Sequence, residues 1–281
     1  MLTVKELLYR YPKAGADTLK SLDFSIAKGE IFGFLGPSGS GKSTTQKILY
    51  KLLAGYKGSI NFQGKPLQNW GQEFYEQIGV CFELPNHYLK LTARENLQFF
   101  SAFYKNGLKH FDELLDMVGL LPDADKLVSE YSKGMKMRLN FIRALVHNPD
   151  FLFLDEPTSG LDPINANKVK NIIKNLQSQG KTIFITTHNM FDADQLCDRV
   201  ALLYKGEIKA LAKPSDLKLQ HGERTVKVTQ PNSAEAIFPM QNLGENPEFL
   251  QLLKANNLAT IHSQEATLED VFIKLTGEQL A

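Results

Sequence analysis

The sequence predicts an α/β fold: a mostly parallel sheet with a phosphate-loop core, an N-terminal antiparallel β layer, a helical insertion and a small α+β C-terminal extension. Three observations lead there. Ile31–Leu35, Ile78–Phe82, Phe151–Leu154 and Thr182–Ile185 are apolar runs of strand length without polar alternation, as expected of strands buried on both faces. Segments of helical period separate them, which is the pattern of parallel strands joined by crossovers. Gly36-Pro37-Ser38-Gly39-Ser40-Gly41-Lys42-Ser43-Thr44 joins the first run to a helix, a glycine-rich turn in strand-to-helix context.

The bulk numbers bound the architecture. With 281 residues and 43% hydrophobic content, the chain is long enough for one large domain with an appendage, placed at residues 1–220 and 221–281. Thirty-two basic residues against 31 acidic ones leave a net charge of +1, so a nucleic-acid partner is not expected. No apolar run approaches the roughly 20 residues needed to cross a bilayer, and no long apolar core follows the N-terminus as in a signal peptide. Cys81 and Cys197 lie far apart without metal or redox spacing, and read as reduced core residues of a cytosolic protein.

Taken in order, Val4–Tyr11 and Leu19–Ile26 alternate as strands of the antiparallel layer. In the loop that follows, Gly36, Gly39 and Gly41 let the backbone curl so that successive N–H groups face a phosphate chain, and the helix beginning there adds its positive end. Lys42 reaches the β- and γ-phosphates and the Ser43 hydroxyl is placed for a bridging Mg²⁺, so the loop predicts binding of a nucleoside triphosphate such as ATP. Gly58–Phe62 reads as a short strand, and Ile78–Phe82 as an apolar strand ending at Glu83. From about 84 to 148 the period is helical, with Leu97, Phe100 and Phe103 forming one stripe. Ser132 caps a helix there that carries Lys133, Lys136 and Arg138 near its start, cations that oppose the helix dipole unless an anion visits.

Phe151–Leu154 leads into Asp155 and Glu156. Successive strand residues point oppositely, so the two carboxylates serve one site only if the strand ends between them; Asp155 is then assigned to the metal and Glu156 to a nucleophilic water. Thr158–Pro163 reads as a turn into a polar helix reaching about Gln179. His188 closes the next buried strand at the same sheet edge, where a γ-phosphate contact is expected. Arg224–Ala281 reads as strand, helix, strand, helix.

These motifs resemble the nucleotide-binding subunits of ABC transporters over residues 2–215: the phosphate loop at 36–44, a signature at Tyr131–Met135, the carboxylate motif at Leu152–Pro157, the turn Ser159–Asp162 and the switch histidine His188. Tyr-Ser-Lys-Gly-Met and the segment Ala266–Phe272 resemble the exporter branch, in which the ATPase chain pairs with a separate polytopic membrane permease subunit. The resemblance implies that Tyr11 stacks on adenine. It also implies that Ser132 and Gly134 bind the γ-phosphate of ATP held by a second ATP-binding subunit, that Asp162 lies at that dimer interface, and that the helical insertion contacts the permease at the inner face of the membrane. Glu156, His188 and Lys42 are the catalytic residues it implies, with ATP and Mg²⁺ as cofactors.

Three positions depart from the family's commonest pattern: Glu83 where a glutamine usually ends the strand, Lys133 where a glycine is usual, and Met137 where a glutamine is common. Glu83 still counts among the nucleotide and metal contacts, and adds negative charge beside Asp155 and Glu156; Lys133 is a candidate to offset it. A weakly hydrolysing regulator, or an ABC ATPase outside transport, are the alternatives.

Overall fold

The computed structural model describes residues 1–231, 234–255 and 258–278. The chain divides into two units, Met1–Leu211 and Ala212–Ala281.

The first unit contains β1 (Leu2–Tyr9), β2 (Leu19–Ile26), β3 (Ile31–Leu35), α1 (Lys42–Leu49), β4 (Lys57–Phe62), β5 (Lys65–Pro66), α2 (Glu73–Gln77) and β6 (Ile78–Cys81). It continues with α3 (Ala93–Ser101), α4 (Asp112–Met117), α5 (Lys133–Arg143), β7 (Phe151–Asp155), α6 (Pro163–Ser178), β8 (Thr182–Thr187), α7 (Met190–Leu196), β9 (Arg199–Tyr204) and β10 (Glu207–Ala212).

Two sheets form. One has the order β2-β1-β4-β5 and is antiparallel. The other has the order β10-β9-β3-β8-β7-β6, and the pairs from β9 to β6 are parallel. β3, β7 and β8 are buried at every residue, as their apolar centres without polar alternation lead one to expect. Phe24 of the antiparallel layer meets Phe32, Phe34 and Phe184 of the parallel sheet, and Phe62 meets Phe151 edge to face. These rings belong to one core that also takes in Ile48 and Leu49 of α1, so the helix after the phosphate loop is fixed by apolar packing. Between β6 and β7 the helices α3, α4 and α5 occupy the segment expected as a helical insertion. α3 starts at a capping box in which Thr92 and Glu95 satisfy each other's backbone N–H groups.

Register decides where chemistry gathers. Leu35 pairs with Thr187, Asp155 with Thr186 and Cys81 with Leu154. The residues that follow each strand, Gly36, His188, Glu156 and Glu83, therefore emerge along one edge of the sheet, the carboxyl edge where ligands of such sheets bind.

The second unit contains α8 (Pro214–His221), β11 (Thr225–Thr229), β12 (Glu235–Pro239), α9 (Pro247–Lys254), β13 (Thr260–Gln264) and α10 (Leu268–Thr276). Its antiparallel sheet runs β12-β11-β13 over a small core of Val226, Val228, Phe238 and Phe249. Two sequence expectations change. The division precedes residue 220, because α8 packs on α10 and so belongs to the second unit. From Arg224 on the order is strand, strand, helix, strand, helix: Glu235–Pro239 forms β12, a strand whose charged first residue and terminal proline mask its β character while Phe238 anchors it in the core. No helix of the described residues is long and apolar enough to cross a membrane. Cys81 and Cys197 are buried and unpaired.

Candidate functional site

At the carboxyl edge of the parallel sheet lies a cleft of about 480 Å³ lined by Tyr11, Thr18, Ser38, Gly39, Gly41, Lys42, Ser43, Thr44, Glu83, Asp155, Glu156 and His188. The loop from β3 to α1 forms its floor. Gly36 runs so close to the chain that a Cβ there would lie 2.1 Å from the Leu203 carbonyl oxygen. Gly41 has φ +112°, and a Cβ on it would meet Leu19 at 2.6 Å; only glycine fits both conditions. No side chain caps the N-terminus of α1. Its first N–H groups and dipole are thus offered toward the cleft, an arrangement suited to phosphate. Lys42 is buried and its Nζ donates to Gly36 O at 2.6 Å and Pro37 O at 3.0 Å. Burial pushes its pKa down, while Glu156, Asp155 and Glu83 pull it back up.

The two carboxylates diverge as their chemistry demands. β7 ends at Asp155, and Glu156 follows with φ +49°, a left-handed kink that turns its side chain into the same cleft instead of to the opposite face. Asp155 accepts a hydrogen bond from Thr186 Oγ1. Burial raises its pKa and the charges of Glu83 and Glu156 add to the rise, against the Thr186 bond and Lys42. Glu156 is held at three points: Oε1 accepts from His188 N at 3.0 Å and from His188 Nδ1 at 2.7 Å, and Oε2 accepts from Thr187 Oγ1 at 2.9 Å. A carboxylate oxygen has two lone-pair sites. Oε1 is therefore saturated and Oε2 keeps one site, which makes Oε2 the basic oxygen.

Tyr11 stands in the loop after β1, edge to face with Tyr9, and its hydroxyl lies 3.2 Å from Thr44 Oγ1. Its ring is partly exposed at the rim of the cleft. Ser40 lies in the loop, and its buried Oγ has no hydrogen-bond partner among the described residues. Asp155, Ser43 and Glu83 bring hard oxygen donors to one place, the donor set that suits Mg²⁺ shared with phosphate oxygens. Among the described residues no group of three or more His, Cys, Asp or Glu side chains forms a metal site by itself.

Ser132, Gly134 and Asp162 form a second patch. Ser132 caps α5 by accepting from Met135 N at 3.2 Å, and a Cβ on Gly134 would lie 3.7 Å from the Leu161 side chain. Asp162 caps α6, accepting from Ile164 N and Asn165 N at 3.1 Å each. Thr158 donates to Asp192, which Lys170 also holds, so the turn between the carboxylates and α6 is anchored to α7. None of Ser132, Gly134 and Asp162 lines the cleft. Among the described residues Lys133 forms no ion pair with Glu83: its stem lies over Gly160, where a Cβ would be 3.0 Å from the Lys133 Cε.

Sequence reasoning missed Thr18, which lines the cleft, and Thr186 and Thr187, which fix the two carboxylates. The signal for the latter pair was present: two hydroxyl residues closing an otherwise apolar buried strand need partners there.

The ABC transporter family model matches residues 19–159, and a fluoroquinolones export ATP-binding protein of Mycobacterium tuberculosis is 49% identical over the whole chain and 94% of its own length. The chain belongs to the ABC transporter ATP-binding proteins. The bacitracin transport ATP-binding protein of Bacillus licheniformis is 32% identical over 91% of each chain. A dimeric ATP-binding cassette solved in a post-hydrolysis state with ADP and Pi superposes with TM-score 0.69 at 27% identity, covering 76% of this chain and 98% of that one. Residues 224–265 match a family described as a fluoroquinolone efflux ABC transporter C-terminal domain. This ABC subunit thus binds ATP and shares the fold of an ATP-hydrolysing family.

Proposed function

We propose that this ABC subunit hydrolyses Mg²⁺-bound ATP in the cleft between β3, β7 and β8, and that two such subunits drive export through a separate membrane permease. The observation that carries the hydrolytic reading is Glu156, kinked out of β7 and gripped by Thr187 and His188 with one lone pair of Oε2 left unoccupied.

The chain's residues divide the work. The loop amides and Lys42 hold the β- and γ-phosphates, and Tyr11 supports the adenine. Ser43 and Asp155, with Glu83, would hold Mg²⁺, which when bound neutralises charge on the phosphate oxygens. Oε2 of Glu156 takes a proton from the attacking water. A His188 ring that donates Nδ1–H to Glu156 has Nε2 left for the γ-phosphate, and donates there only as imidazolium. Ser132 and Gly134, on a patch apart from the cleft, are assigned to ATP bound by the second subunit, with Asp162 at the same interface.

For the permease, a cleft of about 670 Å³ beside the helical insertion is the proposed seat. It is lined by Tyr50, Phe82, Tyr88, Phe100 and Arg143. Phe82 neighbours Glu83, so movement of a segment in this seat reaches the nucleotide cleft through one peptide bond. These assignments place the subunit in the cytoplasm, peripheral to the membrane. Co-expression with a polytopic membrane protein encoded beside it tests the reading: a stable complex with ATPase activity that changes on assembly is expected. Purified chain without ATPase activity, alone or in such a complex, would refute it.

A further inference from the structure

We propose that Glu83 makes nucleotide binding itself, and not only hydrolysis, depend on a divalent cation, so that the cleft admits the metal–nucleotide complex and rejects metal-free nucleotide. The inference rests on the nucleotide reading of the cleft and deepens it.

The cleft gathers three carboxylates, Glu83, Asp155 and Glu156, around a single lysine, Lys42. Lys42, Asp155 and Glu156 are all buried, so water screens them poorly. The charge of Glu83 acts on both sides of the site: it favours the charged form of Lys42 and disfavours that of Asp155. Glu83 itself follows β6 on an exposed bend and makes no hydrogen bond with the described residues. It is therefore not a structural acid held by a neighbour, and its charge is directed at whatever enters the cleft.

A metal-free triphosphate brings several negative charges against these three. The loop amides, the α1 dipole and Lys42 attract it, but Coulomb repulsion between one phosphate charge and one carboxylate, for a separation on the order of 10 Å and an effective dielectric near 20, costs on the order of tenfold in affinity. A divalent cation bound together with the nucleotide would cancel that loss. Among the described residues no group of His, Cys, Asp or Glu could hold the ion by itself, so Ser43, Asp155 and Glu83 would hold it only with oxygens the nucleotide supplies. A neutral amide at residue 83 would leave two carboxylates, so metal-free nucleotide would still bind more weakly than its metal complex, but by a ratio on the order of tenfold smaller than with Glu83 in place.

The experiment titrates the full-length chain with a fluorescent, non-hydrolysable ATP analogue, in Mg²⁺ and in excess EDTA, for wild type, Glu83→Gln and Glu83→Asp. Wild type and Glu83→Asp are expected to lose, on removal of the metal, roughly tenfold more affinity than Glu83→Gln does. The difference should shrink at 1 M salt, where the Debye length falls to about 3 Å. An equal loss in wild type and Glu83→Gln would overturn the proposal. Absence of binding by wild type even with Mg²⁺ would instead overturn the nucleotide reading on which it rests.

Discussion

Replacing Glu156 by glutamine isolates the proposed base, because the structure provides for the amide. Oε1 of the new side chain still accepts from His188 N and Nδ1, while its NH₂ group meets Thr187 Oγ1, a hydroxyl that can rotate to accept where it now donates. Shape, volume and partner count are kept; what disappears is the basic lone pair of Oε2 and one negative charge beside Asp155. A positioned base contributes about 10²- to 10⁴-fold, equivalent to about 3 to 5 kcal/mol of barrier. Phosphate release should therefore fall by at least about a hundredfold, while affinity for the fluorescent ATP analogue in Mg²⁺ stays within about threefold or improves, since a repelling charge has gone. Steady-state phosphate assays and equilibrium titrations on the same preparation separate the two. Retention of more than about a tenth of the wild-type turnover would mean that Glu156 is not the base.

The other predictions concern the supports of the site. Thr187→Val removes the bond to Oε2 and the acceptor for Asn189 N; with a bond to a charged group worth about 1.5–3 kcal/mol, kcat should fall about tenfold or more with KM nearly unchanged. His87 donates Nε2–H to Lys136 O at 2.9 Å while its Nδ1 is buried without a partner, and burial pushes its pKa down to about 4. The unfolded chain takes up this proton near pH 6.5 and the folded chain does not, so stability is intact above pH 6.5 and is lost as pH falls towards 4, by about 2 kcal/mol at pH 5. Urea midpoints at pH 7 and pH 5 should reveal that loss in wild type, and His87→Gln, which keeps the donor without the titration, should reduce it by about that amount; an unchanged pH response would exclude His87 as its source.

Much of this protein was legible in one dimension, for a physical reason. The parallel strands bury both faces and must be apolar throughout, and a phosphate loop must carry glycine where the chain approaches Leu203 O or takes a positive φ. Both demands are local, so the phosphate loop, the strand before the carboxylates and the cap Ser132 can be read from residue type and spacing. The sequence also set the condition that Asp155 and Glu156 share a site only if the strand stops between them.

Whether it stops there was decided by tertiary structure. Pairing of Asp155 with Thr186 ends the ladder, and Thr187 with His188 captures Glu156 in its kink. Those partners lie 31 and 32 residues along the chain, and strand register, a property of the assembled sheet, brings them together. The same holds for the stem of Lys133 lying over Gly160, for α8 joining the second unit through α10, and for β12, whose only strong signal is Phe238 finding Phe249 across a core. Residue type fixed which groups could act; the sheet's register and packing fixed which of them meet, because contacts between distant segments depend on the depth and alignment at which each strand is buried.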